Sequence, residues 1–308
     1  MSDQQDVCVL IPTLASAERA PYLLRAIDSL RSQSPVRARI IVVVNGPRWD
    51  PALVATLDQM SDVHVARLPE PSMPGAMAAG RALVDTELFV ELDDDDELMP
   101  GALVRRARRM AEADRPDAVV TNALIRRNGA DTLNIPDMNA VARSPLRSLL
   151  QRNWLVPGAA MFRTATVPVE LFAAIPRYLE WTYLGLVLSQ TRRLAFLSEP
   201  TVIHYSGHPF SVDQSRECLL ERPMAFETLL KLDLPVSIKR LLRIRRSAAH
   251  HAAAEALCAS GNRRAAWMTH LRSLAGPGGW RYVLYTRYLL GVPRPGMASS
   301  PRTETDGT

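Results

Sequence analysis

Four consecutive aspartates, Asp93-Asp94-Asp95-Asp96, follow directly on an apolar run from Leu88 to Leu92, and a helical pattern opens behind them near Pro100. Like charges crowded in this way repel one another at a cost no ordinary turn has to bear, so the cluster points to a bound cation at the carboxyl end of a sheet strand. A purely structural account covers part of the cluster. Asp96 caps the next helix, the other acids favour its positive N-terminal dipole, and Pro100 sits in its first turn. That account employs one or two acids and leaves the others without a reason.

The chain leading to the aspartates alternates strand and helix patterns. Val7 to Pro12 is a nearly continuous apolar run closed by Thr13, as expected of a strand buried on both faces of a parallel sheet. Leu23, Ile27 and Leu30 then fall at helical spacing between about Arg19 and Ser32. A second strand, Arg39 to Asn45, stops at Asn45-Gly46-Pro47 and precedes a helix around Pro51 to Met60. Val63 to Leu68 reads as a third strand, Pro74-Gly75 opens a small-residue helix through Leu83, and Glu87 to Leu92 is the fourth strand. This order predicts an α/β fold with a doubly wound, mostly parallel sheet, in which ligands sit beyond the carboxyl ends of the strands. Thr13, Asn45, Gly75 and Asp93 then converge on one rim. The place suits a nucleotide, yet the chain has neither a GxGxxG nor a GxxxxGK[ST] loop, which disfavours a dinucleotide dehydrogenase or a P-loop NTPase.

After a helix from about Leu103 to Ala113, Asp117 to Arg126 reads as a strand, residues 128–142 as a polar, mobile loop, and Pro145 to Arg152 as a short helix. Asn153 to Phe162 combines turn residues with an apolar strand, Pro176 to Ser189 gives loop and then helix, and Leu194 to Leu197 and Thr201 to His204 are short strands. Beyond Asp213 the pattern is almost wholly helical. The expected organisation is a polar, disordered start over 1–6, an α/β domain over 7–213 in two halves (7–115 and 116–213), a helical region over 214–292, and a disordered tail over 293–308 rich in Pro, Ser, Gly and Thr.

Charge is unevenly spread. From residue 220 onward 14 Lys and Arg face 6 Asp and Glu, a net of +8, whereas residues 1–219 carry a net of −3. The basic character therefore belongs to the helical region, which has no recognised nucleic-acid motif. The three cysteines, Cys8, Cys218 and Cys258, form no CxxC spacing and are expected as reduced thiols in a cytoplasmic setting. The N-terminus lacks the basic-then-apolar order of a secretory signal, and no uncharged apolar run is long enough to span a bilayer.

Ile11-Pro12-Thr13 at the end of strand one, an Asn-Gly turn at the end of strand two, and Leu92-Asp93-x-Asp95-Asp96-x-Leu98-x-Pro100 together resemble glycosyltransferase family 2, with its GT-A fold. The last segment matches the family's LDxDDxLxP at every defined position, and Gly80 followed by Val84 occupies the place of its NxGxxxA segment. The resemblance covers residues 7 to about 212 and implies a metal-dependent, inverting transfer from a nucleotide-sugar donor to a glycan or lipid-linked hydroxyl, of the kind used in polysaccharide biosynthesis. It implies that Thr13, Asn45, Gly75, Asp93 and Asp94 bind the nucleotide sugar. It further implies that Asp93, Asp95 and His208 hold Mg²⁺ or Mn²⁺ and that Glu180 is the catalytic base. The chemistry calls for these residue types: a departing diphosphate carries new negative charge that a hard cation on oxygen ligands neutralises, and an attacking hydroxyl needs a carboxylate to take its proton.

The sequence also departs from the family pattern. Asn45 stands where the family usually has an aspartate that contacts the base, Ala78 and Ala79 replace a common Arg-Asn, and Leu179 precedes Glu180 where an acid is usual. Two rival functions follow, a sugar-1-phosphate nucleotidyltransferase and a nucleotide-sugar-binding protein whose site has decayed. The first calls for a glycine-rich basic loop after strand one, and Thr13-Leu-Ala-Ser-Ala has neither feature. Plainer roles stand beside the catalytic ones: Glu180 as a helix N-terminal acid, His208 as a loop histidine, His204 as a residue packed at a strand end, Gly75 and Gly80 as sites of close packing, and Trp154 and Trp181 as core. Lys239 to Arg246, with its leucines inward, and the aromatic series Trp280, Tyr282, Tyr285 and Tyr288 suit a peripheral contact with an anionic membrane at its inner face. The plain counterpart is a helical cap with its arginines in water.

Overall fold

The structure, a computed structural model, describes residues 6–207, 215–290 and 292. Of the start expected as disordered over 1–6, Asp6 is instead the first residue of a strand, in register with Arg37, while residues 1–5 and the tail over 293–308 lie outside the described residues. The described residues form two compact units, one of residues 6–207 with Lys231–Leu234 and one of Ser215–Leu230 with the described residues from Pro235 onward.

The first unit is built on a nine-stranded sheet. Strand β1 (Asp6–Thr13) is apolar from Val7 to Ile11 and almost wholly inaccessible there, because helices cover both faces. Helix α1 (Ala20–Arg31) buries Leu23, Ala26, Ile27 and Leu30 and keeps the opposite face polar. β2 (Arg37–Asn45) runs parallel to β1, with Thr13 in register with Val44. After α2 (Pro51–Asp58), capped by Asp50, β3 (Val63–Leu68) pairs parallel to β2. Helix α3 (Met73–Ala82) crosses back so closely that a Cβ on Gly80 would lie 3.2 Å from Val43 Cγ2. β4 (Leu88–Glu91) then adds beside β1, again in parallel. These four strands carry the expected order and bring the carboxyl ends of β1, β2 and β4 to one rim.

The second half of the sheet is mixed. A two-residue strand β5 (Glu97–Leu98) follows the aspartates, α4 (Ala102–Met110) packs on the sheet, and β6 (Ala118–Arg127) enters its middle. Residues 128–142, expected as a mobile loop, are ordered instead. Asn128 and Gly129 both adopt positive φ (51° and 79°), the geometry of a tight hairpin, and turn the chain into β7 (Ala130–Leu133), which pairs antiparallel to β6. β7 is exposed along its whole length, which is why its composition reads as loop. Helices α5 (Met138–Arg143) and α6 (Pro145–Gln151) lead to β8 (Ala160–Arg163), antiparallel to both β4 and β6. After α7 (Glu170–Ala173) and α8 (Glu180–Thr191), the two short strands expected around 194–204 prove to be one, β9 (Leu194–Tyr205). A register shift near Asn122 breaks its parallel pairing with β6. The strand order is β3-β2-β1-β4-β8-β6-β9-β5, with β7 on the flank of β6. Trp154 is core, the plainer of its two expected roles: it is 1% exposed, lies edge-on to Phe196 and donates its indole N–H to Pro145 O at 3.0 Å.

The second unit is helical: α9 (Arg216–Lys231), α10 (Val236–Ala259), α11 (Arg263–Ala275), a 3₁₀ stretch (Gly279–Tyr285) and α12 (Thr286–Leu289). Among the described residues no helix is long and apolar enough to cross a membrane.

Candidate active site

The aspartates leave β4 on a short turn whose shape is set by what lies behind it. Leu92 N–H donates to Leu10 O at 2.9 Å, and Gly158 N–H to Glu91 O at 2.7 Å. Gly158 has φ +71°, and a Cβ there would lie 2.7 Å from both Leu92 Cδ1 and Val202 Cγ2, so the strand end is gripped by a position only glycine fits.

Helix α1 fastens the rest of the segment. Arg19, just before the helix, donates Nε to Asp94 Oδ2 at 2.7 Å and Nη2 to Asp94 Oδ1, and its Nη2 lies 3.2 Å from Asp95 Oδ2. Arg25 donates to the backbone oxygen of Asp95 at 2.8 Å, pairs with Glu97 at 2.7 Å, and lies 4.0 Å over the Tyr205 ring. Ser29 Oγ accepts from Leu98 N, and Gln33 bridges Met99 O and Leu103 N. Residues 19, 25, 29 and 33 thus meet 94, 95, 98 and 99 in order. None of these contacts belongs to the apolar pattern that predicts α1; the hint in the sequence is the polar spacing on its other face.

The four acids are therefore unequal. Asp94 is 3% exposed, accepts from Arg19 twice and from Thr13 Oγ1 at 2.5 Å. Burial disfavours the charged guanidinium, but its hydrogen bonds to Asp94 and the fields of Asp95 and Asp93 outweigh that and hold the Arg19 proton more tightly than usual. Asp96 is fully buried, lies 2.8 Å from His204 Nδ1 and accepts from Tyr205 N–H at 3.1 Å. His204, expected to pack at a strand end, instead faces this carboxylate. Burial opposes its charge, yet the Asp96 hydrogen bond and the surrounding acids push the ring up to about 9. Among the described residues the Asp95 carboxylate meets only Arg19, already doubly engaged by Asp94. The Asp93 carboxyl makes no hydrogen bond among the described residues, and burial followed by repulsion from Asp96 and Asp95 drives it well above the usual range.

Beneath Asp93 lies an acid that the sequence reading passed over. Glu91 is 1% exposed, and neither carboxyl oxygen has a hydrogen-bond partner among the described residues. Burial first, then the charges of Asp93 and Glu180, raises it well above the normal carboxylate range, so it is held as the neutral acid. Its signal in the sequence is a single charged letter inside an apolar strand.

The other expected site residues fall around this turn. Thr13 closes β1 and, besides Asp94, accepts from Ala15 N–H at 2.9 Å. Asn45 closes β2, and its Oδ1 accepts from Ser72 N–H at 2.6 Å. Ser72 caps α3 by accepting from Gly75 N–H at 3.0 Å, so Asn45 and Gly75 are tied together through one serine. Glu180 opens α8, near enough to Glu91 to raise it, and its Oε1 accepts from Tyr178 N–H at 2.9 Å, with Tyr178 at φ +70°. His208 lies outside the described residues. Among the described residues no three His, Cys, Asp or Glu side chains gather as a metal cage.

A sheet whose parallel half presents this acidic turn at its carboxyl rim, followed by a mixed half, is the GT-A arrangement of a glycosyltransferase. The chain belongs to glycosyl transferase family 2: the family's model matches residues 8–165, more than half of the sequence. Its fold is similar to that of S. aureus TarS. The structure of TarS residues 1–349 in complex with UDP-GlcNAc is 13% identical, with a TM-score of 0.55 over 92% of this chain and 91% of that one. The complex of the same TarS segment with UDP is 14% identical, with a TM-score of 0.53 over 94% and 93%. Against a longer TarS structure the figures are 15% identity and a TM-score of 0.51, over 87% of this chain and 52% of that one. At such identities the likeness is one of fold. No curated protein matches the chain.

Proposed function

We propose that this glycosyltransferase moves a sugar from a nucleoside-diphosphate donor to a hydroxyl of a glycan or lipid-linked acceptor, with inversion at the anomeric carbon and with Mg²⁺ or Mn²⁺ at Asp93 and Asp95. The observation that carries the reading is the unequal partnering of the four aspartates. Arg19 and Thr13 occupy Asp94, and His204 and the Tyr205 amide occupy Asp96. That leaves two carboxylates at DxD spacing with too little positive charge beside them. Two hard oxygen donors, with no third protein ligand beside them among the described residues, would suit a cation bound together with a diphosphate and water. When bound, such an ion offsets the charge that develops on the leaving diphosphate.

The chain's own groups account for the remaining steps. Thr13 and Asn45, at the ends of β1 and β2, flank the rim where the nucleotide lies, and the UDP and UDP-GlcNAc complexes of TarS support this class of donor. Glu180, steadied by the Tyr178 amide, takes the proton of the acceptor hydroxyl as that oxygen attacks. A single displacement by the hydroxyl inverts the carbon and needs no covalent nucleophile. Neutral Glu91 keeps a further negative charge away from Asp93 and Glu180.

The test is donor turnover, followed as nucleoside-diphosphate release with Mn²⁺, for the wild type and for Asp95→Ala and Glu180→Gln. Expected are loss of turnover on chelation and in Asp95→Ala, and a fall of about 10²- to 10⁴-fold in Glu180→Gln with donor binding kept. Unchanged turnover in Asp95→Ala refutes the metal role. Nucleotide binding by the wild type with no turnover on any donor refutes the transfer.

A further inference from the structure

The helical unit carries a surface that sugar transfer does not use. From Ala256 to Thr303 the chain has no Asp or Glu, while Arg263, Arg264, Arg272, Arg281 and Arg287 all fall within it. Over the same stretch large apolar side chains stand in solvent. On α11 positions 264, 268, 271, 272 and 275, at the spacing of one helical face, are exposed, as is Arg263 at its start, with Met268 55% and Leu271 53% exposed. In the stretch that follows, Trp280 is 74% exposed, Leu284 71% and Leu290 72%, with Arg281 and Arg287 exposed between them.

This is a fixed platform and no frayed end. Tyr285 and Leu289 are buried against Ala254 and Ala266. The Tyr282 ring stacks on His251 at 4.2 Å, His270 Nε2 lies 2.9 Å from Thr286 Oγ1, and Arg263 donates to Leu289 O. The outward side chains are therefore held out by residues anchored on the opposite face. Large apolar groups held together in water forgo burial, so such a face calls for a partner.

The charge pattern says which partner. Among the described residues the cations between the exposed apolar groups are all arginines, with the Arg281 guanidinium 5.7 Å over the Trp280 ring, against a single acid, Glu255, which shares a hollow with Arg281 and Leu284. Tryptophan settles at headgroup depth, leucine below it, and arginine reaches back to phosphate. We propose that α11 and residues 280–290 form a docking face for an anionic lipid bilayer, with Trp280 and Leu284 inserted and Arg264, Arg272, Arg281 and Arg287 on the headgroups. The contact is peripheral, since no described helix can span. The basic stretch of α10 is not the inserted part: Ile238 and Leu242 are buried in the protein, so its apolar residues are already used.

The experiment is co-sedimentation of the full chain with vesicles of phosphatidylcholine alone or mixed with phosphatidylserine, at low and high salt. Trp280→Ser/Leu284→Ser, Arg281→Ala/Arg287→Ala and Arg281→Lys/Arg287→Lys are compared, with circular dichroism confirming each fold and light scattering giving each mass. Expected are binding to the anionic vesicles that salt weakens, about fivefold loss per arginine removed, retention in the lysine variant, and loss in the serine variant. Wild type left in the supernatant, or bound equally to both vesicle types, overturns the proposal. So does a self-associated wild type that the serine variant turns into a monomer with sedimentation unchanged, since the face then joins two copies of the chain.

Discussion

Arg19 and Asp94 meet in a two-pronged ion pair across 75 residues of sequence, with Nε 2.7 Å from Oδ2 and Nη2 on Oδ1, and only 15% and 4% of the two side chains exposed. The pair holds the second aspartate buried, while the first and third stay partly exposed. Removing one member leaves the other ion buried and uncompensated. Arg19→Ala is expected to cost about 3 kcal/mol of stability, and Arg19→Ala/Asp94→Asn less than the sum of the single changes. Urea unfolding of the three variants checks this; strict additivity would show that the ions do not act as a pair.

Gly158 is the tightest point behind the acidic turn. An alanine there takes a positive φ and sets its Cβ 2.7 Å from Leu92 and Val202. Gly158→Ala is expected to lose about 2–4 kcal/mol and to lower turnover more than donor binding, because Leu92 immediately precedes Asp93. Thermal unfolding and steady-state kinetics on the same variant separate the two effects.

Asn45 does structural work that an aspartate could also do, since either side chain offers an oxygen to the Ser72 amide. Asn45→Ala is expected to cost about 1–2 kcal/mol, and Asn45→Asp close to nothing. A shift in the order of nucleoside diphosphates that raise the melting temperature of Asn45→Asp, with its own stability unchanged, would assign Asn45 to base recognition.

His270 is fully buried, and burial, helped by the charge of His251, lowers it from 6.5. The folded chain thus favours the neutral ring. Below about pH 6.5 the unfolded chain binds the proton first, so stability that is intact above that pH is lost as pH falls through the folded value. His270→Gln is expected to flatten this part of the pH dependence of the urea midpoint; an unchanged slope would place the titration elsewhere.

Much of the site's frame was legible because the signals are local. An apolar run ending in Thr13, another in Asn45 and a third in Asp93 each declare a buried strand and its carboxyl end, and their alternation with helices brings those ends together. Residues 128–142 were not legible as structure, since β7 is exposed on every residue and α5 shows only two buried positions. Glu91 and Arg19 escaped notice for a related reason: their roles depend on surroundings that no periodicity reports. His204 read as packing because its acidic partner, Asp96, lies 108 residues away.

The sequence by itself determined that four acids would stand at a sheet rim, because strand length and apolar pattern fix where β4 stops. Only the tertiary structure decided which of them are left to act. Arg19, Thr13 and His204 reach Asp94 and Asp96 from 75, 81 and 108 residues away, and charge neutralisation falls off within a few ångströms. What separates Asp93 and Asp95 from their neighbours is therefore the placement of sequence-distant groups, a property of the folded chain and of no shorter stretch of it.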